Sequence, residues 1–563
     1  MDRHPPDRPE GTLNVTQDLA QRAARAVVHQ SRRQAIMLRT MSGAGIIKPY
    51  SPLTLARMGW ALKEWGLGFA GGIAALGIRS PHDIGVIDEL GSLTWGEVDS
   101  RSTRLAHSLR NLGVDEGGSV AVLCRNHRYF LEVSTAVSRL GADILYLNTS
   151  FAAPQLGEVC AREKPTAIVY DEEFEDLIDR AGIEIQRVIA WTESPTGTTK
   201  HTAVEDLISR GSHARLKPPS RLARPVILTS GTTGTPKGAP RSEAGLDAAV
   251  ALLSGLTFKT GGTTHIAAPV FHTWGWAHLN LAMLLGSTVV LRRKFDPEEC
   301  LRVVEEYRCD GLIVIPVMLQ RMLQLAPEQR AGTYSSLKVV ASSGSALPGD
   351  LATEWMDTFG DNLFNTYGST EVAWATIASP SDMRAAPGTA GSPPPNTIVR
   401  IIDETGRSQP IGQSGRIFVG NSMLFEGYTG GGGKEVVDGL MSTGDVGRLD
   451  EAGRLFVEGR DDEMIVSGGE NVFPKEVEDC LVRHDGVVEA AAIGVDDDEF
   501  GKRLRAFVVV QADVDLNADI LKAWIKENLA RYKVPREIVF IPELPRNATG
   551  KVLKRELVTW PVD

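Results

Sequence analysis

The run Pro225-Val-Ile-Leu, followed by Thr229-Ser-Gly-Thr-Thr-Gly-Thr-Pro-Lys-Gly238, constrains this chain more than any other stretch. The apolar residues read as a buried strand. The loop behind them crowds Thr229, Ser230, Thr232 and Thr233 around Gly231 and Gly234, with one cation, Lys237. Glycine lets a backbone turn tightly and approach a ligand closely. Hydroxyls and successive N–H groups form a nest for anionic oxygens. Strand ends are where α/β folds bind such ligands. The stretch predicts a phosphate-binding loop on an α/β sheet. It is not the common P-loop, which needs Gly-Lys-Ser/Thr, because Lys237 lies between Pro236 and Gly238.

The rest of the chain carries the same grammar. From about residue 90 to 455, β-rich runs alternate with helical stretches: Ser119–Leu123, Ala167–Tyr170, Val226–Thr229, His265–Ala268, Thr288–Leu291, Gly311–Ile315 and Lys338–Ala341 are predicted strands. Such alternation implies parallel sheets covered by helices. Beyond residue 460 a smaller unit follows. Its predicted strands are Glu489–Val495 and Leu504–Val510, and its predicted helices are Pro474–Arg483 and Ala518–Ala530. A chain of 563 residues exceeds what one core ordinarily serves. The division expected is an extension at 1–80, a large domain at 81–459 and a small domain at 460–563. In the extension, Leu55, Met58, Leu62 and Trp65 recur at helical spacing. Two readings stand: a helix packed on the main domain, or an interfacial anchor that uses Trp60 and Trp65 as a peripheral membrane contact.

A net charge of −11 argues against a nucleic-acid partner. The five cysteines are scattered, with no CxxC pair and no evident cluster with histidine. That predicts neither structural zinc nor a disulfide framework, and favours a reducing, cytoplasmic compartment. The polar, proline-rich start lacks the apolar core of a signal peptide. The longest uncharged apolar run, Trp65 to Ile78, is interrupted by glycines and falls short of the roughly 18 residues of a spanning helix.

Five further segments join the first loop: Ser343-Gly344-Ser345-Ala346-Leu347-Pro348, Asn365-Thr366-Tyr367-Gly368-Ser369-Thr370-Glu371, Ser442-Thr443-Gly444-Asp445, Glu458-Gly459-Arg460 running on to Gly468-Gly469, and Leu544-Pro545-Arg546-Asn547-Ala548-Thr549-Gly550-Lys551. In this order they resemble the adenylate-forming superfamily, which includes acyl-CoA synthetases, peptide-synthetase adenylation domains and firefly luciferase. The resemblance implies an α/β fold. It consists of a large N-terminal domain of parallel-rich sheets flanked by helices, a β-barrel-like subdomain, and a small mobile α+β C-terminal domain. It also implies ATP, Mg²⁺ and CoA as cofactors and small molecules as partners. By the same resemblance, Thr229 to Gly234 and Lys237 hold phosphate. Gly344, Ser345 and Ala346 lie flat against adenine, and Asn365, Tyr367 and Gly368 complete the nucleotide site. Thr370 bonds the α-phosphate and Glu371 helps hold Mg²⁺, a hard cation that prefers carboxylate and phosphate oxygens. Asp445 takes the ribose hydroxyls, and Arg460 also reaches the nucleotide. Asp462 is the hinge, Gly468 and Gly469 line a thiol tunnel, and Arg536 lies near CoA phosphate. Lys551 is the catalytic lysine: one mobile ammonium offsets the repulsion between a carboxylate and a phosphate.

Val270-Phe271-His272-Thr273-Trp274-Gly275 matches the segment that lines the acyl pocket in this superfamily. Amino-acid-activating members usually carry aspartate where His272 stands, so an α-amino acid is not expected. His272 either shapes the acyl site or packs beside Phe271 and Trp274. Gly368 replaces the tryptophan that closes the pocket of acetate-specific members, which predicts an open pocket. The runs beginning at Tyr367 and Phe425 resemble actinobacterial fatty-acyl-CoA synthetases. They predict a medium- or long-chain acid, with an aromatic acid or transfer to a carrier protein as alternatives.

Overall fold

A computed structural model describes residues 31, 33–193, 200–229, 237–240, 246–425, 427–428, 432–463, 465–467, 470–497, 501–512, 514–547 and 550–561. For 229, 237–240, 246, 462, 466–467, 470–471, 501 and 532, the backbone alone is described. Two large sheets form the frame. One has eight strands in the order Thr376–Ala378, Leu363–Tyr367, Val339–Ser342, Gly311–Val314, Thr263–Ile266, Thr288–Val290, Ile84–Asp88, Gly91–Thr94. The other has seven, in the order Thr202–Ala203, Gln186–Ile189, Ala167–Tyr170, Ser119–Leu123, Asp143–Tyr146, Pro225–Thr229, Lys237–Pro240. Inner neighbours are parallel, and the antiparallel pairs sit at the edges. Central strands such as Ala167–Tyr170 and Gly311–Val314 are buried throughout and read as unbroken apolar runs, as parallel strands covered on both faces must.

The predicted strand at 265–268 begins two residues earlier, at Thr263, and stops at Ile266. Ala267 and Ala268 both donate to Ile313 O, and Pro269 has no N–H to carry the ladder on. The chain therefore leaves the sheet here and delivers His272 to the start of helix Thr273–Leu285. The phosphate-loop segment joins two antiparallel strands, with Thr229 opposite Lys237, rather than a strand to a helix.

A third sheet of five strands joins Ile398–Ile402, Gly415–Gly420, Leu440–Leu449, Val436–Val437 and Leu455–Arg460 around its own core of Ile401, Ile417, Val419 and Leu455. The C-terminal unit holds the two expected strands, here Val487–Asp497 and Gly501–Val510. A third, Glu537–Phe540, pairs parallel to the second and was not predicted. Its amphipathic helices Pro474–Val482 and Ala518–Asn528 bury Val477, Leu481, Leu521 and Ile525 between them and the sheet.

In the extension, Ser51 caps helix Pro52–Trp65 by accepting from Thr54 N, Pro52 supplies a preset φ, and Gly66 ends the helix at φ +76°. The next helix, Phe69–Arg79, buries Phe69, Ile73 and Leu76 in the same core as the two large sheets, and Arg79 donates to Leu284 O at 2.8 Å. Each such side chain removed from water contributes roughly 1.5–3 kcal/mol. The helix read at Leu55 to Trp65 also rests on the main domain: Trp65 packs against that core under Arg139, and Glu64 pairs with Arg215. That helix buries only Ala61. Among the described residues, no helix is long and apolar enough to cross a membrane.

Candidate active site

The carboxyl ends of adjacent parallel strands build the nucleotide side. Val339–Ser342 runs into Ser343-Gly344-Ser345, with Gly344 at φ +97°, a region open to glycine. Its neighbour Leu363–Tyr367 pairs in register, Ser342 beside Asn365, and carries Tyr367 to the same edge. A side chain at Gly368 would meet Ala373 O at 2.3 Å, where Ala375 N donates back to Tyr367 O. Glycine is therefore demanded here by the close backbone return, a reason separate from the open pocket read in the sequence.

The third sheet supplies the opposite wall. Its register sets Asp445 directly across from Arg460, with Nη1 of Arg460 3.6 Å from Oδ1 of Asp445. Tyr367 O–H donates to Asp445 Oδ2 at 2.5 Å, tying the two walls together. Burial pushes the Asp445 carboxyl up, and the Tyr367 hydroxyl, Arg460, Lys551 and Lys434 oppose it. Burial, then the facing Asp445 carboxylate, drives the Tyr367 phenol well above its usual value. Tyr428 O–H donates to Glu371 Oε1 at 2.7 Å, while Phe425 N donates to Glu371 O. Burial and that bond raise the Tyr428 phenol as well.

Lys551 arrives from the C-terminal unit on a short turn. Asn547 Oδ1 accepts from Lys551 N, Asn547 N donates to Lys551 O, both at 2.9 Å, and Gly550 takes φ +74°. A Cβ on Gly550 would strike Val317 Cγ1 at 2.6 Å, so the turn is pressed against the large domain. Gln320 Nε2 adds a bond to Val488 O at 3.2 Å.

One cavity of about 1450 Å³ unites these groups. Gly344, Ser345, Ala346, Asn365, Tyr367, Gly368, Thr370, Glu371, Asp445, Arg460 and Lys551 all line it. His272 lines it too, together with Trp274, Ala277 and Leu281 of the helix it precedes. Burial lowers the His272 imidazole to about 4, so it is neutral at pH 7, and its Nε2 is buried with no hydrogen-bond partner. Trp274 donates to Val314 O at 3.0 Å, and the His272 and Phe271 rings sit 4.5 Å apart.

Arg536 does not join this group. It lies on the C-terminal unit, about half exposed, with Nη1 3.8 Å from Asp497 Oδ2. Ser230 to Gly234, Gly468 and Gly469 lie outside the described residues, as do the side chains of Thr229, Lys237 and Asp462. The backbone of Asp462 forms part of the short 3-10 turn Asp461–Glu463 between the units. Among the cavity residues that escaped the sequence reading are Lys434, beside Gly444, and Tyr428. Both lie in the run that begins at Phe425, but only the fold sets Tyr428 against Glu371, 57 positions away. The scattered-cysteine reading also needs correction. Cys124, His127 and Asp171 set a thiol, an imidazole and a carboxylate within 4.8 Å of one another, buried and away from the cavity. His127 Nε2 and Asp171 Oδ1 are hydrogen-bonded there at 2.8 Å.

Residues 77–429 match the family described as AMP-binding enzyme, and residues 476–551 match the AMP-binding enzyme C-terminal domain. The chain belongs to this family, within the adenylate-forming superfamily. It is 32% identical to feruloyl-CoA synthase of Amycolatopsis sp, over 85% of this chain and 96% of that one. It is 31% identical to indoleacetate–CoA ligase of Aromatoleum aromaticum, over 83% and 92%. The o-succinylbenzoate CoA synthetase of Bacillus subtilis, solved with its acyl-adenylate intermediate, superposes with a TM-score of 0.76 at 26% identity, covering 87% of this chain and 98% of that chain. The relatives establish an AMP-forming acid ligase family broader than the fatty-acyl synthetases that the sequence resembled.

Proposed function

We propose that the chain is an ATP-dependent acyl-CoA synthetase that activates a medium- or long-chain fatty acid as an acyl-adenylate and transfers it to CoA. The observation that carries this reading is the shape of the cavity. Polar groups gather at one end, around Asp445, Glu371 and Lys551. The other end runs past His272 to Leu55, Met58, Leu62 and Trp65 of the extension, an apolar branch that suits an extended hydrocarbon.

In the first step, Tyr367 and the turn at Gly344 take the adenine, and Asp445 accepts from the ribose hydroxyls. Glu371 and the adjacent Thr370 face the phosphates. A carboxylate held at one oxygen by Tyr428 and lining the cavity is the donor chemistry a hard divalent cation takes, completed by phosphate oxygens. Mg²⁺ held there would supply neutralisation of phosphate charge. Lys551, near enough to Asp445 to oppose the rise of its carboxyl, bridges the attacking carboxylate oxygen and the α-phosphate as pyrophosphate leaves. In the second step, residues 460–563 turn about Asp462 as a mobile domain. That motion withdraws Lys551 and brings Gly468 and Gly469 to the site, where the CoA sulfur attacks the acyl carbonyl and AMP departs. The neutral His272 adds no charge to an apolar acyl site.

An aryl acid is the second reading. Trp274 and Trp276 in the cavity wall favour it, as do the names of the feruloyl and indoleacetate relatives. AMP release, measured with ATP, Mg²⁺ and CoA for acids from acetate to palmitate plus benzoate and ferulate, separates them. Turnover peaking on medium or long aliphatic acids supports the proposal. A peak on ferulate or benzoate replaces it with the aryl reading. AMP release that ignores CoA moves the chain to carrier-loading ligases.

A further inference from the structure

The helix Pro52–Trp65 is apolar on opposite sides. Leu55, Met58, Leu62 and Trp65, spaced at helical intervals, face the cavity. On the other side, Leu53 is 69% exposed and Trp60 58% exposed. Two apolar sides on one helix would ordinarily both be covered, yet this helix buries only Ala61. Ile47, Leu55 and Leu67 line the cavity and are themselves about half exposed, so the apolar branch reaches the surface beside this helix.

Charge singles out the same stretch of chain. Between residues 33 and 79 the charged side chains are Arg33, Arg39, Lys48, Arg57, Lys63 and Arg79, against the acid Glu64. Glu64 is engaged by Arg215 at 2.7 Å. Arg39, Lys48, Arg57 and Lys63 are exposed, and Lys63 Nζ lies 5.7 Å above the Trp60 ring. The whole chain carries −11, so this is a local reversal of sign. Exposed Leu and Trp flanked by cations, on a helix lying at the surface, match the interfacial mode of membrane binding. There the apolar face enters the acyl boundary and the cations meet anionic headgroups. A hydrated acidic protein would satisfy the cations but would give Leu53, Trp60 and the apolar mouth nothing to bury against.

We propose that the outer face of helix Pro52–Trp65 docks on an anionic lipid surface, and that an apolar acid passes from the bilayer through the adjoining mouth into the cavity. The delivery half of this inference rests on the apolar-acid reading above, while the docking half does not.

The test is co-sedimentation of the full chain with vesicles of phosphatidylglycerol and phosphatidylcholine in equal parts, and with phosphatidylcholine alone. The expected result is binding to the anionic vesicles that weakens with salt. It should fall at least about tenfold in a Leu53→Ser/Trp60→Ala double variant whose melting temperature is unchanged. Arg57→Glu/Lys63→Glu should reduce binding to anionic vesicles and leave any binding to phosphatidylcholine alone unaltered. A chain that stays in the supernatant, or one that binds equally after the double substitution, overturns the proposal. So does sedimentation velocity showing a dimer that the double variant dissolves, because the face would then belong to a second copy. The vesicle readout needs no turnover. Docking with no acid activated would sink the substrate reading alone, and turnover without docking would sink this one alone.

Discussion

The two ends of the one cavity are built on different principles. At the polar end side chains are held by one another, Tyr367 by Asp445, Asp445 by Arg460 and Glu371 by Tyr428, and the backbone of Lys551 is held by Asn547. At the far end the walls are Leu, Met and Trp side chains, and the polar Nε2 of His272 has no hydrogen-bond partner. Held groups cost no reorganisation when charge develops, which is how electrostatic catalysis gains its strength. An apolar wall discriminates only through volume, at about 1–3 kcal/mol for each methylene. The chemistry is therefore fixed by geometry, and the choice of acid is open to small changes of shape.

The largest break in that comparison should come from Lys551→Ala. Adenylation, followed by ATP–pyrophosphate exchange, should fall about 10²–10³-fold, the usual cost of one positioned donor. Thioester formation from supplied acyl-adenylate should persist. Equal loss of both half-reactions would refute the assignment of Lys551 to the first step. Next, Tyr428→Phe releases Glu371. The Mg²⁺ concentration for half-maximal exchange should rise about 10–100-fold with little change at saturation. An unchanged Mg²⁺ titration would mean that the bond at 2.7 Å does not position the carboxylate. At the apolar end, Leu62→Trp should shift preference toward shorter acids by about 10-fold or more, while exchange with a short acid is kept. Uniform loss across the acid series would show that the extension does not bound the acyl site.

The smallest effect at neutral pH concerns the histidines behind the apolar end. His265 and His278 are buried, and burial lowers each imidazole to about 4. The unfolded chain takes up these protons near pH 6.5, the folded chain only near 4. Stability is therefore complete above 6.5 and falls as the pH drops toward 4, by about 3 kcal/mol for each. A melting temperature flat from pH 7 to 4 in both wild type and His278→Asn would contradict this.

Much of the polar end was legible in the sequence, and the reason is local. Gly344 and Gly550 need left-handed backbone, and the close return at Gly368 admits no side chain. Asp445 sits on a strand just after Gly444 at φ +82°, its N–H bonded to Thr443 two residues back, and Lys551 lies in a short turn that bonds to itself. Such requirements leave a signature within a few residues. The partnership of Tyr428 with Glu371 and the meeting of Lys434 with Asp445 leave none. The first joins positions 57 apart and the second closes only with the hairpin of the third sheet, and a Tyr or Lys in a glycine-rich run reads as a loop residue until then. The strand Glu537–Phe540 was missed for a related reason: it is only half buried, so its apolar pattern is weak.

By itself the sequence determined the α/β class, the succession of strands and helices, and many of the residues that gather on one cavity, because periodicity and turn chemistry are written in near neighbours. The tertiary structure alone decided how those residues are paired. It also decided that the C-terminal turn bearing Lys551 sits on the large domain, and that a helix near the start of the chain walls the apolar part of the cavity. Contacts between elements hundreds of residues apart depend on which faces are left over once each element has packed, and no local pattern encodes that remainder.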